Sequence, residues 1–275
     1  MEKIFEIIAC GNKLPTDMKS FLYSQGLSVT LVKKAKYGGI LLNGKAVTVR
    51  ATVNEGDKIE IYLEEEKSEG IPPMDIPIKV LYEDEDFIAV DKPTNMPTHP
   101  SKGNNLPTLA NAVMGYFGGD FVFRSVNRLD RDTSGVVIIA KNKISASSLS
   151  ASMKKGLWSK KYHALVAGCP SPKEDTIDAP IERIEEGNIK RTVRADGKRA
   201  ITKYKVIEEY GDSSLCEIIL LTGRTHQIRV HMSHIGHPLV SDFLYGEKSD
   251  KEYYLRCNEI TLPHPKTDKI ITIRA

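Results

Sequence analysis

Apolar residues recur near helical spacing in the first part of the chain. Six of them, between residues 13 and 36, occupy such positions: Met18, Phe21, Leu22, Leu31, Val32 and Ala35. This spacing predicts two short helices, which Gly26 separates. The next segment contains Asn43-Gly44, a dipeptide typical of two-residue hairpins. The pattern therefore predicts a small helix-helix-hairpin unit that ends near Leu63.

The longer remainder of the chain contains short apolar runs that do not alternate regularly with helices. The predicted strands are two that flank the acidic turn near residue 84, then 136–140, 161–168, 214–221 and 269–274, and the predicted helices are 142–155 and 225–235. Such a pattern is typical of an α+β domain. We expect a mixed, largely antiparallel sheet.

An acidic stretch from Glu64 to Gly70 divides these two parts. It is charged, lacks periodicity and is followed by Pro72-Pro73, a composition that favours a linker over regular structure. The sequence therefore predicts two domains, residues 1–70 and 71–275.

Charge is distributed unevenly, although the formal net charge is only +3 and the pI is near 8.5. From Met18 to Asn54 there is no acidic residue, and six basic ones are present: Lys19, Lys33, Lys34, Lys36, Lys45 and Arg50. A basic face of this kind favours a polyanionic partner such as RNA. With 40% hydrophobic residues, the chain is also expected to form a sizeable core.

The four cysteines are scattered and form no Cys-x-x-Cys pair, which argues against a thiolate zinc site or a redox motif. A reduced, cytoplasmic setting fits this usage. No uncharged apolar run reaches the ~18 residues of a membrane span, and we identify no signal peptide. We therefore expect a cytoplasmic protein with no membrane partner.

The segment FRSVNRLDRDTSGVVIIAKN contains the most informative chemistry. In it a polar cluster with Asp130 between Arg128 and Arg131 runs directly into a buried apolar strand. Such an edge can present a carboxylate at a cleft. The residues alone also permit a surface turn held by ion pairs.

This segment resembles the signature of the RluA/RluD pseudouridine synthases, with Arg128-Leu129-Asp130 followed by Asp132-Thr133-Ser134-Gly135. Three further blocks occur in the family's order: Asp91-Lys92-Pro93, Lys161-Tyr162-His163-Ala164-Leu165-Val166, and Gly223-Arg224-Thr225-His226-Gln227-Ile228-Arg229-Val230-His231. The resemblance covers residues 75–275. One departure is Asn127, where the family usually has histidine, which we interpret as a change in loop support.

The resemblance implies a pseudouridine synthase fold and an isomerase that needs no cofactor. It makes Asp130 the catalytic carboxylate, acting on the sugar either as a nucleophile or as an electrostatic stabiliser. It places Tyr162 in the active site. It also assigns to Arg224 the role of keeping Asp130 ionised, and the alternative role for Arg224 is phosphate binding. Arg128 is expected to fill the space left by the extracted base, or else only to contact phosphate.

The small N-terminal unit resembles the RNA-binding domain first known from ribosomal small-subunit protein four. The likeness rests on the helix pair and on the strings GGILLNGKAV and NEGDKIEI. Together, the expected RNA-binding residues are Arg128, Lys33, Lys34, Lys36, Lys45 and Arg229. The predicted substrate is ribosomal or transfer RNA, and the predicted enzyme is a monomer.

Two rival functions remain open from the residues alone: a non-catalytic RNA-binding protein on the same fold, and a metal-dependent hydrolase. The cluster His226, His231, His234 and His237 could suggest the second. However, His226 and His231 are five residues apart, so they do not share a helical face, and two arginines lie among them. We therefore predict no metal.

Overall fold

The computed structural model describes residues 1–64, 70–101 and 107–275 of the chain. The predicted acidic linker, residues 64–70, lies mostly outside the described residues. The described part contains two large hydrophobic cores and a small third cluster of Ile181, Ala200 and Val230. One large core is built from the first 63 residues and the other from the segments after residue 86.

The N-terminal core lies between short strands and two helices. Its elements are β1 (Glu2–Ile8), β2 (Thr16–Asp17), α1 (Met18–Ser24), α2 (Val29–Ala35), β3 (Ile40–Leu42), β4 (Lys45–Ala46), β5 (Thr52–Val53) and β6 (Lys58–Leu63). Four strands form a sheet in the order β1-β6-β3-β4, and β2 pairs with β5. Met18, Leu22, Ile40 and Ile59 are fully buried in this core.

Local chemistry explains where these elements begin and end. The Asp17 carboxylate accepts a hydrogen bond from the Ser20 amide at 3.0 Å, so α1 begins at Met18 and not at residue 13. The predicted hairpin at Asn43-Gly44 is confirmed, since the two residues join β3 to β4 with φ of 50° and 78°. Both values suit the tight turn that Asn-Gly favours.

The larger core is organised around one sheet of ten strands. Its strands and the neighbouring hairpin are β7 (Lys79–Glu83), β8 (Phe87–Lys92), β9 (Arg124–Ser125), β10 (Ser134–Ala140), β11 (Ser159–Ala167), β12 (Glu174–Asp178), β13 (Ile181–Arg183), β14 (Arg191–Val193), β15 (Ile201–Glu209), β16 (Ser213–Leu220), β17 (Leu255–Pro263) and β18 (Ile270–Arg274). The helices are α3 (Leu109–Tyr116), α4 (Lys143–Lys154) and α5 (Gln227–His234).

The sheet runs in the order β12-β15-β16-β11-β17-β10-β8-β7, with β18 beside β17 and β9 beside β10, while β13 and β14 form a separate hairpin. Among the described residues β10 and β17 are its one parallel pair. The predicted α+β class with a mixed, largely antiparallel sheet is therefore confirmed. The predicted helix 142–155 is α4, and the predicted helix 225–235 is α5, shortened at both ends.

The two cores meet at α4. The Ser28 amide, at the start of α2, donates to Ser147 Oγ at 2.9 Å, and Lys143 Nζ donates to the Glu64 carbonyl at 2.7 Å. On the other side of the boundary, Asn111 of α3 holds the chain: its side-chain amide donates to the Pro72 carbonyl at 2.9 Å, and its carbonyl accepts from the Met74 amide at 3.1 Å. Pro72 and Met74 are thus bonded to the larger core.

Candidate active site

A cavity of about 920 Å³ opens beside the large sheet, and three segments that are distant in sequence line it. They are residues 97–101, the loop 125–131 between β9 and β10, and residues 220–229 at the start of α5. A fourth segment, which runs from the end of α4 into β11 and includes Tyr162, also lines it. The cavity thus collects residues from three of the four blocks that carried the family resemblance.

Asp130 lies half-buried in the loop that leads into β10. Its carbonyl accepts from the Thr133 amide at 3.1 Å, which closes a turn just before the strand begins. Gly135 then enters the sheet with φ of 111°, and a Cβ there would lie 2.2 Å from the Cys257 carbonyl of β17. Glycine is required because both the backbone angle and the close approach exclude a side chain.

Lys92, at the end of β8, supports this loop from beneath. Its side chain is fully buried, and Nζ donates to the carbonyls of Pro93 at 2.8 Å, Met96 at 2.7 Å and Arg131 at 3.1 Å. Burial lowers the pKa of Lys92 to about 8, against the opposing charges of Asp132 and Asp130. At neutral pH the ammonium therefore stays mostly protonated and can donate all three bonds.

Two buried polar side chains complete the support of the loop. Thr98 Oγ1 donates to the Leu129 carbonyl at 2.8 Å. The side-chain amide of Asn127 bonds to the backbone of β10. Its Nδ2 donates to the Val136 carbonyl at 3.1 Å, and its Oδ1 accepts from the Ile138 amide at 2.8 Å. The residue that departs from the family pattern therefore ties the loop to β10.

Tyr162 is 6% exposed, and its pKa is raised well above the ordinary value. Burial is the main cause, followed by the charge of Cys257, a hydrogen bond to it and the charge of Asp130. The phenol is therefore protonated at neutral pH. It can offer both a ring face and an O–H donor beside the Asp130 loop.

Arg224, which we expected to keep Asp130 ionised, lies at the surface of the site. Arg224 is exposed and its Nε donates to the Arg199 carbonyl at 3.0 Å. No ion pair joins Arg224 to Asp130 within the described ranges. Arg224 does line the cavity. Because it lies just before α5, in the exposed stretch of the segment, its side chain turns outward.

Arg229, which we expected to contact RNA, is the buried guanidinium of the site. It is 3% exposed, and Nε and Nη2 donate to Asp242 at 2.7 Å and 2.6 Å. Burial alone would lower the pKa of Arg229, but the hydrogen bonds to Asp242 and nearby charges, including Asp130, raise it. The third residue of α5 thus faces inward, where RNA phosphates have little access.

The remaining predicted RNA-binding residues are exposed. Arg128 lines the mouth of the cavity, where its charge adds to burial in lowering the pKa of His99. Lys33, Lys34 and Lys36 lie in and just after α2, and Lys45 lies in the hairpin. All four lysines are solvent-exposed. Their positions are compatible with the predicted contacts, which remain predictions.

Sequence reasoning missed two functional candidates near α5. Asp242 is fully buried and pairs with Arg229, and Tyr245 bonds His226 Nδ1 at 2.9 Å. An aspartate inside the apolar string PLVSDFLYG was the available signal for the first. A tertiary bond between residues 19 apart, such as the second, leaves no comparable signal.

Three of the four histidines that could have suggested a metal have partners within the protein: His226, His231 and His237. His231 is fully buried, with Nδ1 2.9 Å from Thr202 Oγ1 and Nε2 2.8 Å from the Ala179 carbonyl. Within the described ranges the group with metal-ligand spacing is another one, composed of Asp84, Asp86 and His264. It lies outside the cavity lining, and its atoms are engaged in hydrogen bonds. Asp84 accepts from the Asp86 amide, Asp86 accepts from Ser145 Oγ of α4, and His264 Nε2 lies 2.9 Å from Asp84 Oδ2.

Across the described ranges, the structure contains no helix with the length and hydrophobicity needed to span a membrane.

Comparisons with known proteins agree with the family resemblance of the segments that line the cavity. Residues 86–234 match the family described as RNA pseudouridylate synthase. An uncharacterised RNA pseudouridine synthase of Bacillus subtilis is 36% identical, with 94% of each chain covered. A ribosomal large subunit pseudouridine synthase D of Xanthomonas campestris is 36% identical over 77% of this chain and 64% of its own. The solved human RNA pseudouridylate synthase domain-containing protein one has a TM-score of 0.63 at 28% identity, covering 74% of this chain and 85% of its own.

Proposed function

Because this chain belongs to the RNA pseudouridylate synthase family, isomerases that act on RNA, we propose that it converts particular uridines of ribosomal or transfer RNA to pseudouridine with Asp130 as its catalytic carboxylate. The observation that carries the assignment of Asp130 is its place in the cavity, on a loop fixed by the buried ammonium of Lys92. A fixed loop is what positioning of a reacting group requires.

The reaction needs no redox change and no water. The bond from ribose C1′ to uracil N1 breaks, the base turns, and C1′ bonds to uracil C5, whose proton is released while N1 gains one. In this proposal Asp130 acts on the positive charge that develops at C1′. No cofactor and no metal take part.

Two neighbours support the carboxylate in the proposal. Tyr162, kept protonated by burial, offers its ring to the uracil and its hydroxyl as a donor. Arg229, bound to Asp242, supplies a buried positive charge on the side of Asp130, the role that the sequence had suggested for Arg224. Arg224, exposed at the edge of the same cavity, is then suited to an RNA phosphate.

The target base must leave its stack before it reaches this cavity, which costs a few kcal/mol. Arg128 is exposed at the mouth, and a flat guanidinium can stack on the bases left behind. We therefore propose that Arg128 holds the opened RNA.

We further propose that residues 1–70 and 71–275 are separate domains and that the first binds RNA through Lys33, Lys34, Lys36 and Lys45. Two hydrophobic cores support the division. The relative from Xanthomonas is named for the large ribosomal subunit, which supports a ribosomal RNA substrate. The described cysteines are all free, which fits a reduced cytoplasmic setting, and we propose a monomer.

The substrate can be identified by mapping pseudouridine across the RNA of cells with and without the gene. We expect one or a few sites to vanish on deletion, to return with the intact gene, and to stay absent with the Asp130→Asn variant. Restoration by that variant would exclude Asp130 as the catalytic carboxylate. An unchanged map after deletion would exclude the proposed activity.

A further inference from the structure

His226 adopts a backbone conformation that histidine seldom takes. Its φ of 58° and ψ of 19° lie in the left-handed region, and although it occupies the N-cap of α5, its side chain makes no capping hydrogen bond. The His226 carbonyl accepts a helical hydrogen bond from the Val230 amide at 2.9 Å, so the backbone caps the helix and the side chain does not. The imidazole instead lines the cavity that contains Asp130.

Tyr245 determines how this imidazole is protonated. Tyr245 Oη accepts a hydrogen bond from the Arg191 amide at 2.8 Å and lies 2.9 Å from His226 Nδ1. The Arg191 amide occupies one acceptor site of this oxygen, and the contact with Nδ1 fits the tautomer in which the hydroxyl donates to Nδ1. In that tautomer the imidazole proton lies on Nε2.

The tyrosine is itself held firmly. The Tyr245 amide donates to Asp242 Oδ1 at 3.2 Å, and its carbonyl accepts from Ser233 Oγ at 3.2 Å. The Arg229 guanidinium lies 5.1 Å from the centre of its ring. The orientation of His226 is therefore tied to the same buried ion pair that borders Asp130.

Burial favours the neutral ring of His226. Burial is the largest cause that lowers its pKa, and Arg229 and Arg191 act in the same direction, while Asp130 and Asp242 oppose them. At neutral pH the side chain is thus an uncharged donor through Nε2–H. A second cation at this point would compete with Arg229 for Asp130, which a neutral donor does not.

Resting on the proposed function, we propose that His226 Nε2–H donates a hydrogen bond to a carbonyl oxygen of the extracted uracil, and that Tyr245 is the positioning residue that fixes this tautomer. When the C1′–N1 bond breaks, its electron pair stays with the base and spreads onto the carbonyl oxygens. A donor aimed at that oxygen is worth most in the transition state. A phosphate would instead call for a cation.

Two substitutions of His226 distinguish the effect of the hydrogen-bond donor from the effect of the backbone conformation. His226→Gln keeps an N–H near the place of Nε2, whereas His226→Asn keeps one near Nδ1 but suits the left-handed backbone better. We expect kcat to fall about tenfold to a hundredfold in the Asn variant and less than about tenfold in the Gln variant, with KM little changed. Equal or better activity of the Asn variant, or a raised KM with normal kcat, would overturn the inference.

Tyr245→Phe tests the coupling, since it removes the hydroxyl and keeps the ring on Arg229. In the native background kcat should fall several-fold, and in the His226→Asn background it should fall no further. Full additivity of the two losses would overturn the role of Tyr245. Thermal melts of all variants identify any that are misfolded, and a misfolded variant is replaced by His226→Gly, which relieves the backbone and removes the donor.

The assay is tritium release from uracil carbon five, with total RNA labelled in a strain that lacks the gene. Asp130→Asn is run beside the His226 variants. Normal release by Asp130→Asn would remove the proposed function itself. An inactive Asp130→Asn together with a fully active His226→Asn would leave the proposed function standing and overturn only this inference.

Discussion

The loop that carries Asp130 and the face that carries Lys33 and Lys36 differ in how their charged groups are held. Beneath the loop, Lys92 is fully buried and makes three hydrogen bonds, and Arg229 is bonded twice to Asp242. The side chains of Lys33 and Lys36 are exposed to solvent. Both regions are basic, but the donors of the first are buried and make several hydrogen bonds, whereas those of the second lie at the surface.

This difference follows from what each region is proposed to do. Action on one atom of the sugar requires a carboxylate held within a fraction of an ångström, which buried and fully bonded side chains provide. Attraction of RNA phosphates depends on charge and little on direction. Substitutions under the loop should therefore disturb stability and turnover together, and substitutions on α2 should change affinity alone.

The largest expected effect is that of Arg229→Met. It leaves the carboxylate of Asp242 buried and unpaired, so the free energy of unfolding should fall by about 3–5 kcal/mol, with loss of turnover. Arg194→Met is the matched control, because its twofold pair with Asp196 lies in solvent. Denaturant titration should detect no change for the control. Equal losses for both would remove the contrast between the regions.

Lys92→Met should have the next largest effect. Three carbonyls lose their donor in a buried place, so we expect a loss of about 3 kcal/mol in stability and a strong fall in tritium release. Lys79→Met serves as the control, since its side chain is 68% exposed although it pairs with Asp91. A stable, fully active Lys92→Met protein would show that the loop does not depend on this ammonium.

Deletion of residues 1–70 should leave a folded and active catalytic domain, because Pro72 and Met74 are bonded to Asn111 of the larger core. RNA affinity should weaken by about tenfold or more, since the basic α2 is lost. Release measured over a range of RNA concentrations separates the two effects. An unfolded fragment, or one inactive at saturating RNA, would contradict the proposed division.

A smaller change is expected for the combined substitution of Lys33, Lys34 and Lys36 by alanine. The slope of log affinity against log salt should flatten by about two, at 0.7 per single-strand phosphate neutralised. Alanine at the exposed Lys266 and Lys269, after β17, provides the control. If only the control flattened the slope, the RNA-binding face would lie at the other end of the chain.

The sequence predicted the fold class and the Asp130 loop because both depend on local patterns: apolar periodicity and a contiguous motif. It could not rank Arg224 against Arg229, since five positions in one block do not tell which side chain turns inward where α5 begins. Lys92 is part of a motif noted in the sequence, but its three carbonyl partners could not be predicted, since one of them is 39 residues away. Tertiary hydrogen bonds decide these roles, and they leave little trace in local spacing.

The most direct test of the central claim compares Asp130→Asn with Asp132→Asn, two carboxylates of one turn of which only the first lines the cavity. We would measure tritium release from uracil carbon five and binding of the same RNA. Asp130→Asn should lower release by about a thousandfold or more while its affinity stays within about threefold of the native protein, because affinity comes mostly from phosphates and stacked bases. Asp132→Asn should keep most of its release. Near-normal release by the Asp130→Asn protein would contradict the assignment of its carboxylate.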